Sequence, residues 1–309
     1  MYIKRMKGAM FYVLQLRNVT KKFGSHIAVN NLNLDIPEQE LFGFLGGNGA
    51  GKTTTFRMIL GLLDKTAGTI TWEGEPVSYA KSHLIGYLPE ERGLYPKLKV
   101  EEQLVYLGKL RQMTVQQAKA EIARWLDRFQ ISHYVHKKVE ELSKGNQQKI
   151  QFICAVLHKP RLLILDEPFS GLDPINVEML KEAVLDLKNA GTSIVFSSHQ
   201  MEHVEELCEN VCILRDGNAV VQGNLADIKR SYRKRNVIVR ATGDLSFLKQ
   251  VDGVIRYKQL AQGCEVQIVE ETVAQQIYRA LVDYPVTSFE IEEPRLNDIF
   301  IEKVGESYE

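Results

Sequence analysis

The run Gly46-Gly47-Asn48-Gly49-Ala50-Gly51-Lys52-Thr53 constrains what this chain can fold into more than any other segment. It satisfies the pattern G-x-x-x-x-G-K-[ST] at every fixed position. Glycines let successive backbone N–H groups turn inward around phosphate oxygens, in conformations that a Cβ resists. Lys52 then reaches the β- and γ-phosphates, and the Thr53 hydroxyl is a ligand for Mg²⁺. The flanks suit that chemistry. Leu41-Phe42-Gly43-Phe44-Leu45 reads as a short apolar strand, and Phe56, Ile59, Leu60 and Leu63 recur at helical spacing. Strand, glycine loop and helix N-terminus together make an anion site. The expected ligand is a nucleoside triphosphate held by Gly46 to Thr53, with Thr54 beside them.

A second strand is predicted at Leu162-Leu163-Ile164-Leu165, running into Asp166-Glu167-Pro168. So apolar a strand suits a parallel sheet covered on both faces. Asp166, at its carboxyl end, is placed to hold Mg²⁺ directly or through water. Glu167 is placed to orient or deprotonate the attacking water. A third strand, Ser193-Ile194-Val195-Phe196, leads to Ser197-Ser198-His199. Taken alone, that histidine is as consistent with a solvated strand end as with catalysis. Leu142-Ser143-Lys144-Gly145-Asn146 precedes a helix carrying Ile150, Ile153 and Leu157. Ser143 and the free N–H groups there serve either as an ordinary cap or as a second phosphate contact.

The chain's 309 residues suffice for two domains. Lys and Arg number 39 and so do Asp and Glu, so no basic excess points to nucleic acid. No apolar run approaches the roughly 20 residues that span a bilayer, so work at a membrane needs a separate anchor. Met1 to Lys7 is basic, but Phe11-Tyr12-Val13-Leu14 is too short for a signal peptide, and a ragged start into a first strand is expected, with Met10 as an alternative start. Cys154, Cys208, Cys212 and Cys264 lack metal spacing, although Cys208 and Cys212 can share a helix face. Isolated thiols suit a reducing cytoplasm.

With these motifs in order, residues 12–225 resemble the ATP-binding subunit of ATP-binding cassette (ABC) transporters. Gly46 to Thr53 resembles the Walker A loop and Leu162 to Glu167 the Walker B strand. Leu142 to Asn146 resembles the signature motif, with Ser143, Gly145 and Asn146 as ATP contacts. Ser170-Gly171-Leu172-Asp173 resembles the D-loop, and His199 the switch histidine at the γ-phosphate. Phe23 stands where the family stacks a ring on adenine. Gly47 stands where Pro is common, and Lys144 and Asn146 depart from the usual signature. Glu90, in Leu88-Pro89-Glu90, replaces the Q-loop glutamine; it keeps an oxygen for Mg²⁺ and loses the amide donor. Glu90-Glu91-Arg92-Gly93-Leu94-Tyr95-Pro96 resembles a subgroup that exports sodium, drugs or peptides.

The resemblance implies an α/β P-loop NTPase core with a β-rich edge and a helical subdomain. The ATP-binding domain is expected over 12–228, with the helical insert at about 98–158. In the insert Thr114 and Gln117 suggest a capping box, and Ala118, Ile122, Trp125 and Phe129 line one face, which is assigned to packing. The basic run Lys229-Arg230-Ser231-Tyr232-Arg233-Lys234-Arg235 reads as a linker. Beyond it, a small α+β accessory domain is expected over 236–309. Strands fall at Val237–Ala241, Val254–Tyr257 and Glu265–Val269, a helix is marked by Val273, Ile277 and Leu281, and a strand by Phe289 and Ile291. Glu293 to Phe300 resembles the ending of the exporter subgroup.

The family further implies an ATPase motor using ATP and Mg²⁺, with Lys52, Glu167 and His199 catalytic and Thr53, Asp166 and Glu90 at the metal. It implies a head-to-tail dimer, expected to be of two like subunits, driving export through a separate polytopic permease. The subunit would be cytoplasmic, peripheral on the inner face of the cell membrane. The alternative is an ABC ATPase acting on ribosomes or nucleic acid, but those usually carry two cassettes or long coiled coils.

Overall fold

The computed structural model describes residues 12–91 and 93–305. Two compact units divide between Gln222 and Gly223. In chain order the first contains β1 (Tyr12–Phe23), β2 (His26–Pro37), β3 (Leu41–Gly46), α1 (Lys52–Ile59), β4 (Ala67–Trp72), β5 (Glu75–Pro76) and β6 (Ile85–Leu88). It continues with α2 (Val100–Leu110), α3 (Val115–Arg128), α4 (Lys144–Val156), β7 (Leu162–Asp166), α5 (Pro174–Asn189), β8 (Ser193–Ser197), α6 (Met201–Leu207), β9 (Asn210–Arg215) and β10 (Asn218–Asn224).

The expected parallel sheet is present as β9-β3-β8-β7-β6, with the hairpin strand β10 added beyond β9. β3 pairs in parallel with β8 and β9, and β7 with β8 and β6. Every residue of β3, β7 and β8 is buried, as a sheet covered on both faces requires. The β-rich edge is a separate antiparallel sheet, β2-β1-β4-β5. Leu14, Leu16, Leu34 and Ile36 from that edge join Phe42, Phe44, Phe56 and Ile164 in one core. The rings of Phe44 and Phe56 lie 5.4 Å apart and fasten α1 to β3.

Two local signals went unread. Asp216-Gly217 joins β9 to β10 with both residues left-handed, the two-residue hairpin turn that Asp-Gly favours. Helix α1 ends at Ile59, short of Leu63, because Gly61 is left-handed at φ +66°. The N–H groups of Gly61 and Leu62 return to the carbonyls of Met58 and Arg57, which closes the helix. Cys208 ends α6 while Cys212 lies within β9, so the two share no helix face.

The helical insert comprises α2, α3 and α4. Thr114 and Gln117 form the expected capping box on α3. Trp125 and Phe129 stack at 5.7 Å, and Phe152 of α4 meets both edge-on at 5.8 Å, so the aromatic stripe is core. Helix α4 presses against β6 at Gly86, where a Cβ would lie 2.2 Å from the Ala155 carbonyl oxygen.

The second unit holds α7 (Leu225–Ser231), β11 (Arg235–Ala241), β12 (Val254–Leu260), β13 (Gly263–Ile268), α8 (Thr272–Ala280), β14 (Val286–Glu292) and α9 (Leu296–Val304). Its sheet order is β12-β13-β11-β14, with every neighbouring pair antiparallel. That is a split β-α-β arrangement in which the 3₁₀ turn Ser246–Gln250 takes the place of the first helix. Val266 and Ile268 face the core with Val273 and Ile277 of α8, and Glu265 and Gln267 do not. The basic run is not a bare linker. Lys229–Ser231 close α7, which Asn224 caps, and Arg235 opens β11. Lys234 pairs with Glu302 at 2.7 Å and Arg230 with Asp227 at 2.7 Å. Local carboxylates thus offset charges that the sequence left solvated.

Candidate functional site

Most of the expected site residues converge on one cavity of about 410 Å³ at the carboxyl ends of β3, β7 and β8. Gly47, Asn48, Gly49, Ala50, Gly51, Lys52, Thr53 and Thr54 form its floor, and Phe23, Glu90, Glu167 and His199 complete its walls. Gly46 lies buried beneath the loop. Gly51 is the N-cap of α1 at φ +104°, and a Cβ there would stand 2.5 Å from the Ala28 carbonyl. Only glycine fits that turn. The Lys52 ammonium donates to the carbonyls of Gly46 at 2.7 Å and Gly47 at 3.2 Å, which folds it back over the loop. Phe23 is 49% exposed, with the Lys21 ammonium 4.9 Å from the ring centre.

The register of β7 against β8 sets Asp166 opposite Ser197. The Ser197 hydroxyl donates to Asp166 Oδ1 at 2.6 Å, and the Thr53 hydroxyl donates to Asp166 Oδ2 at 3.1 Å. Asp166 therefore has both oxygens engaged, one of them by the first helical turn of the loop. Hydroxyl and carboxylate oxygens so placed are the donors that Mg²⁺ prefers. Among the described residues no cluster of three or more His, Cys, Asp or Glu forms a metal site.

Glu167 follows in a left-handed conformation at φ +52°, uncommon for a residue with a side chain and typical of strained functional positions. Its N–H donates to the Ser197 carbonyl and hydroxyl, both at 3.2 Å. The residue is 7% exposed, and its carboxylate lies 2.7 Å from His199 Nδ1. Burial pushes the Glu167 carboxyl above its usual range, against the opposing pull of His199 and Lys52. A carboxylate with raised proton affinity beside a phosphate cradle is the arrangement a general base for water requires.

Ser143 caps α4, accepting from the Asn146 N–H at 3.3 Å. Ser143, Gly145 and Asn146 do not line the cavity. Sequence reasoning missed others. His26 and Ala28 of β2 line the cavity, with no motif to mark them. Ser197 links both carboxylate residues, although the sequence drew notice only to the histidine after it. Gln148 donates to the Pro168 carbonyl at 2.9 Å and steadies the turn after Glu167.

Comparisons with known proteins bear on the family and the fold. The family described as ABC transporter matches residues 29–170. The ATP-binding protein DrrA1-3-like C-terminal domain matches residues 223–304. An uncharacterized ABC transporter ATP-binding protein of Bacillus subtilis, YhaQ, is 62% identical over 96% of this chain and all of its own. The Nod factor export ATP-binding protein I of Burkholderia lata is 36% identical over 68% of this chain and 70% of its own. Among solved structures, an ATP-binding subunit of an ABC transporter superposes with a TM-score of 0.67 at 28% identity, covering 71% of this chain and 93% of that one.

Proposed function

The chain belongs to the ATP-binding subunits of ABC transporters, and from that premise we propose that it is the ATP-hydrolysing motor of an exporter whose permease is a separate polypeptide. The observation that carries the chemistry is the buried Glu167 carboxylate, held by His199 beside the glycine loop. Relatives described as a Nod factor export and a lipopolysaccharide export ATP-binding protein support the export direction. The alternative of an ATPase acting on ribosomes or nucleic acid is not favoured by these relatives.

The residue roles follow from position. The unit ending at Gln222 is read as the motor domain, six residues short of the expected 228, and the unit from Gly223, which takes in α7, as the accessory domain. N–H groups of Gly46 to Thr54 cradle the phosphates, Lys52 leaves its two carbonyls for the β- and γ-oxygens, and Phe23 stacks on the base. Thr53 and Asp166, with Glu90 at the rim, would supply the oxygens that hold Mg²⁺. When bound, that ion draws charge off the β- and γ-phosphates. Glu167 takes the proton of the attacking water, and His199 orients it and contacts the γ-phosphate. Ser143, Gly145 and Asn146, which lie off this cavity, serve the nucleotide of a second, like subunit. ATP sandwiched in that way favours the closed pair, and its hydrolysis releases the halves. Among the described residues no helix is long and apolar enough to cross a membrane. A peripheral position on the inner membrane face then follows from the permease.

The test is to recover the Glu167→Gln variant with ATP from detergent-solubilised host membranes and identify what accompanies it. A polytopic membrane protein in near-equal amount is expected. Ribosomal proteins or nucleic acid in its place would remove the transporter reading.

A further inference from the structure

Two buried glutamines hold the segment that carries Glu90. Gln151 of α4 is 4% exposed, and its Nε2 donates to the carbonyls of Pro89 at 3.0 Å and Glu91 at 3.1 Å. Those carbonyls flank Glu90, so a single amide group fixes the backbone on both sides of a residue that lines the phosphate cavity. Gln103 of α2 is fully buried. Its Oε1 accepts from the Tyr95 N–H at 2.7 Å, and its Nε2 turns to Cys154 Sγ at 3.9 Å. Gln151 and Cys154 are three residues apart and share a face of α4. The helix therefore anchors both ends of the 89–95 segment, one directly and the other through Gln103.

Helix α4 is closely packed on both sides. Its contact with β6 at Gly86 leaves no room for a Cβ. Its aromatic packing ties it to α3, and its first turn is the one capped by Ser143. The Oε1 of Gln151 is buried with no partner among the described residues.

We propose that Gln151 is a positioning residue that holds the backbone on both sides of Glu90 and so keeps its carboxylate at the phosphate cavity. This rests on Glu90 belonging to the ATP site, as set out above. An amide suits the task because it offers two donors from one planar group, which methionine or glutamate of similar size does not.

The test uses the full-length protein with Gln151→Met, which keeps the volume and removes both donors. Hydrogen exchange without nucleotide should rise across 88–98 and stay unchanged in α3. With MgATP, kcat should fall about tenfold, the loss usual when a supporting hydrogen bond is removed. KM and the number of ATP molecules bound per chain should hold within about twofold of wild type. In a Glu90→Gln background the same substitution should cost less than about twofold, because the two residues act as a unit. Unaltered exchange at 88–98 overturns the latch. Raised exchange with wild-type kcat, or an equal loss in the Glu90→Gln background, overturns its link to Glu90. A wild-type protein without ATPase activity would sink the motor reading alone, since the exchange measurement decides the latch by itself.

Discussion

His199 Nδ1 stands 2.7 Å from Glu167 Oε2, joining residues 32 positions apart at the ends of adjacent parallel strands. The glutamate side chain is 8% exposed and the histidine 63%, so the carboxylate is buried while its partner is exposed.

Glu167→Gln should abolish ATP turnover while an ATP-bound dimer persists in size-exclusion chromatography with light scattering. The amide keeps the shape but cannot accept the proton. Normal turnover in this variant removes the base role.

The pH dependence of the same site follows from burial. The folded-state pKa of Glu167 lies above its ordinary value of 4.5. Proton binding at this group therefore favours the folded state: that contribution is complete below the unfolded value and is lost as pH rises through the raised folded one. Turnover needs the ionised form, so it should decline as pH falls into that window, while this group's stability contribution grows. Glu167→Gln should be more stable than wild type at neutral pH, with the gap closing towards pH 4.5, as thermal melts would reveal.

Ser197→Ala removes the hydroxyl that donates to Asp166 at 2.6 Å and accepts from the Glu167 N–H. Loss of a buried bond to a charged group costs about 1.5–3 kcal/mol. The Mg²⁺ concentration for half-maximal ATPase should rise, and chemical unfolding should register the loss. Unchanged Mg²⁺ dependence would show that Ser197 does not orient Asp166.

Lys52→Ala should lose ATP affinity by more than about tenfold, or 1.4 kcal/mol. Its ammonium is the only side-chain cation donating to the loop carbonyls of Gly46 and Gly47 among the bonds seen there. Fluorescent-nucleotide titration measures this. Wild-type affinity would contradict the loop assignment.

Phe152→Ala should destabilise the protein by about 3–5 kcal/mol, since it opens a cavity between α3 and α4. Phe152 is fully buried and meets both Trp125 and Phe129. Denaturant titration followed by tryptophan fluorescence would detect it, with Trp125 as a reporter beside the cavity.

Local chemistry explains how much could be read in advance. The turn at Gly51 needs φ +104°, and the Thr114 box and the Ser143 cap each close within three residues, so backbone preference alone reveals them. The alternation of Val266 and Ile268 with Glu265 and Gln267 gives a strand and its inner face. By contrast, the basic run Lys229–Arg235 looked unpartnered because Glu302 lies 68 residues from Lys234. The short strands β4 and β6 offered too little periodicity.

The amino-acid sequence by itself determined that a glycine-rich loop joins a strand to a helix, that two carboxylates end a buried strand, and that a histidine follows another. Each of those is written in the bond geometry and hydropathy of a few adjacent residues. Only the tertiary structure decided that Ser197 bridges to Asp166, that His26 and Ala28 line the cavity, and that Gln151 grips both sides of Glu90 across 60 and 62 residues. Those contacts depend on which strands are neighbours and on how α4 seats against β6. Strand order and helix seating follow from the packing of the whole core, which no short stretch of sequence encodes.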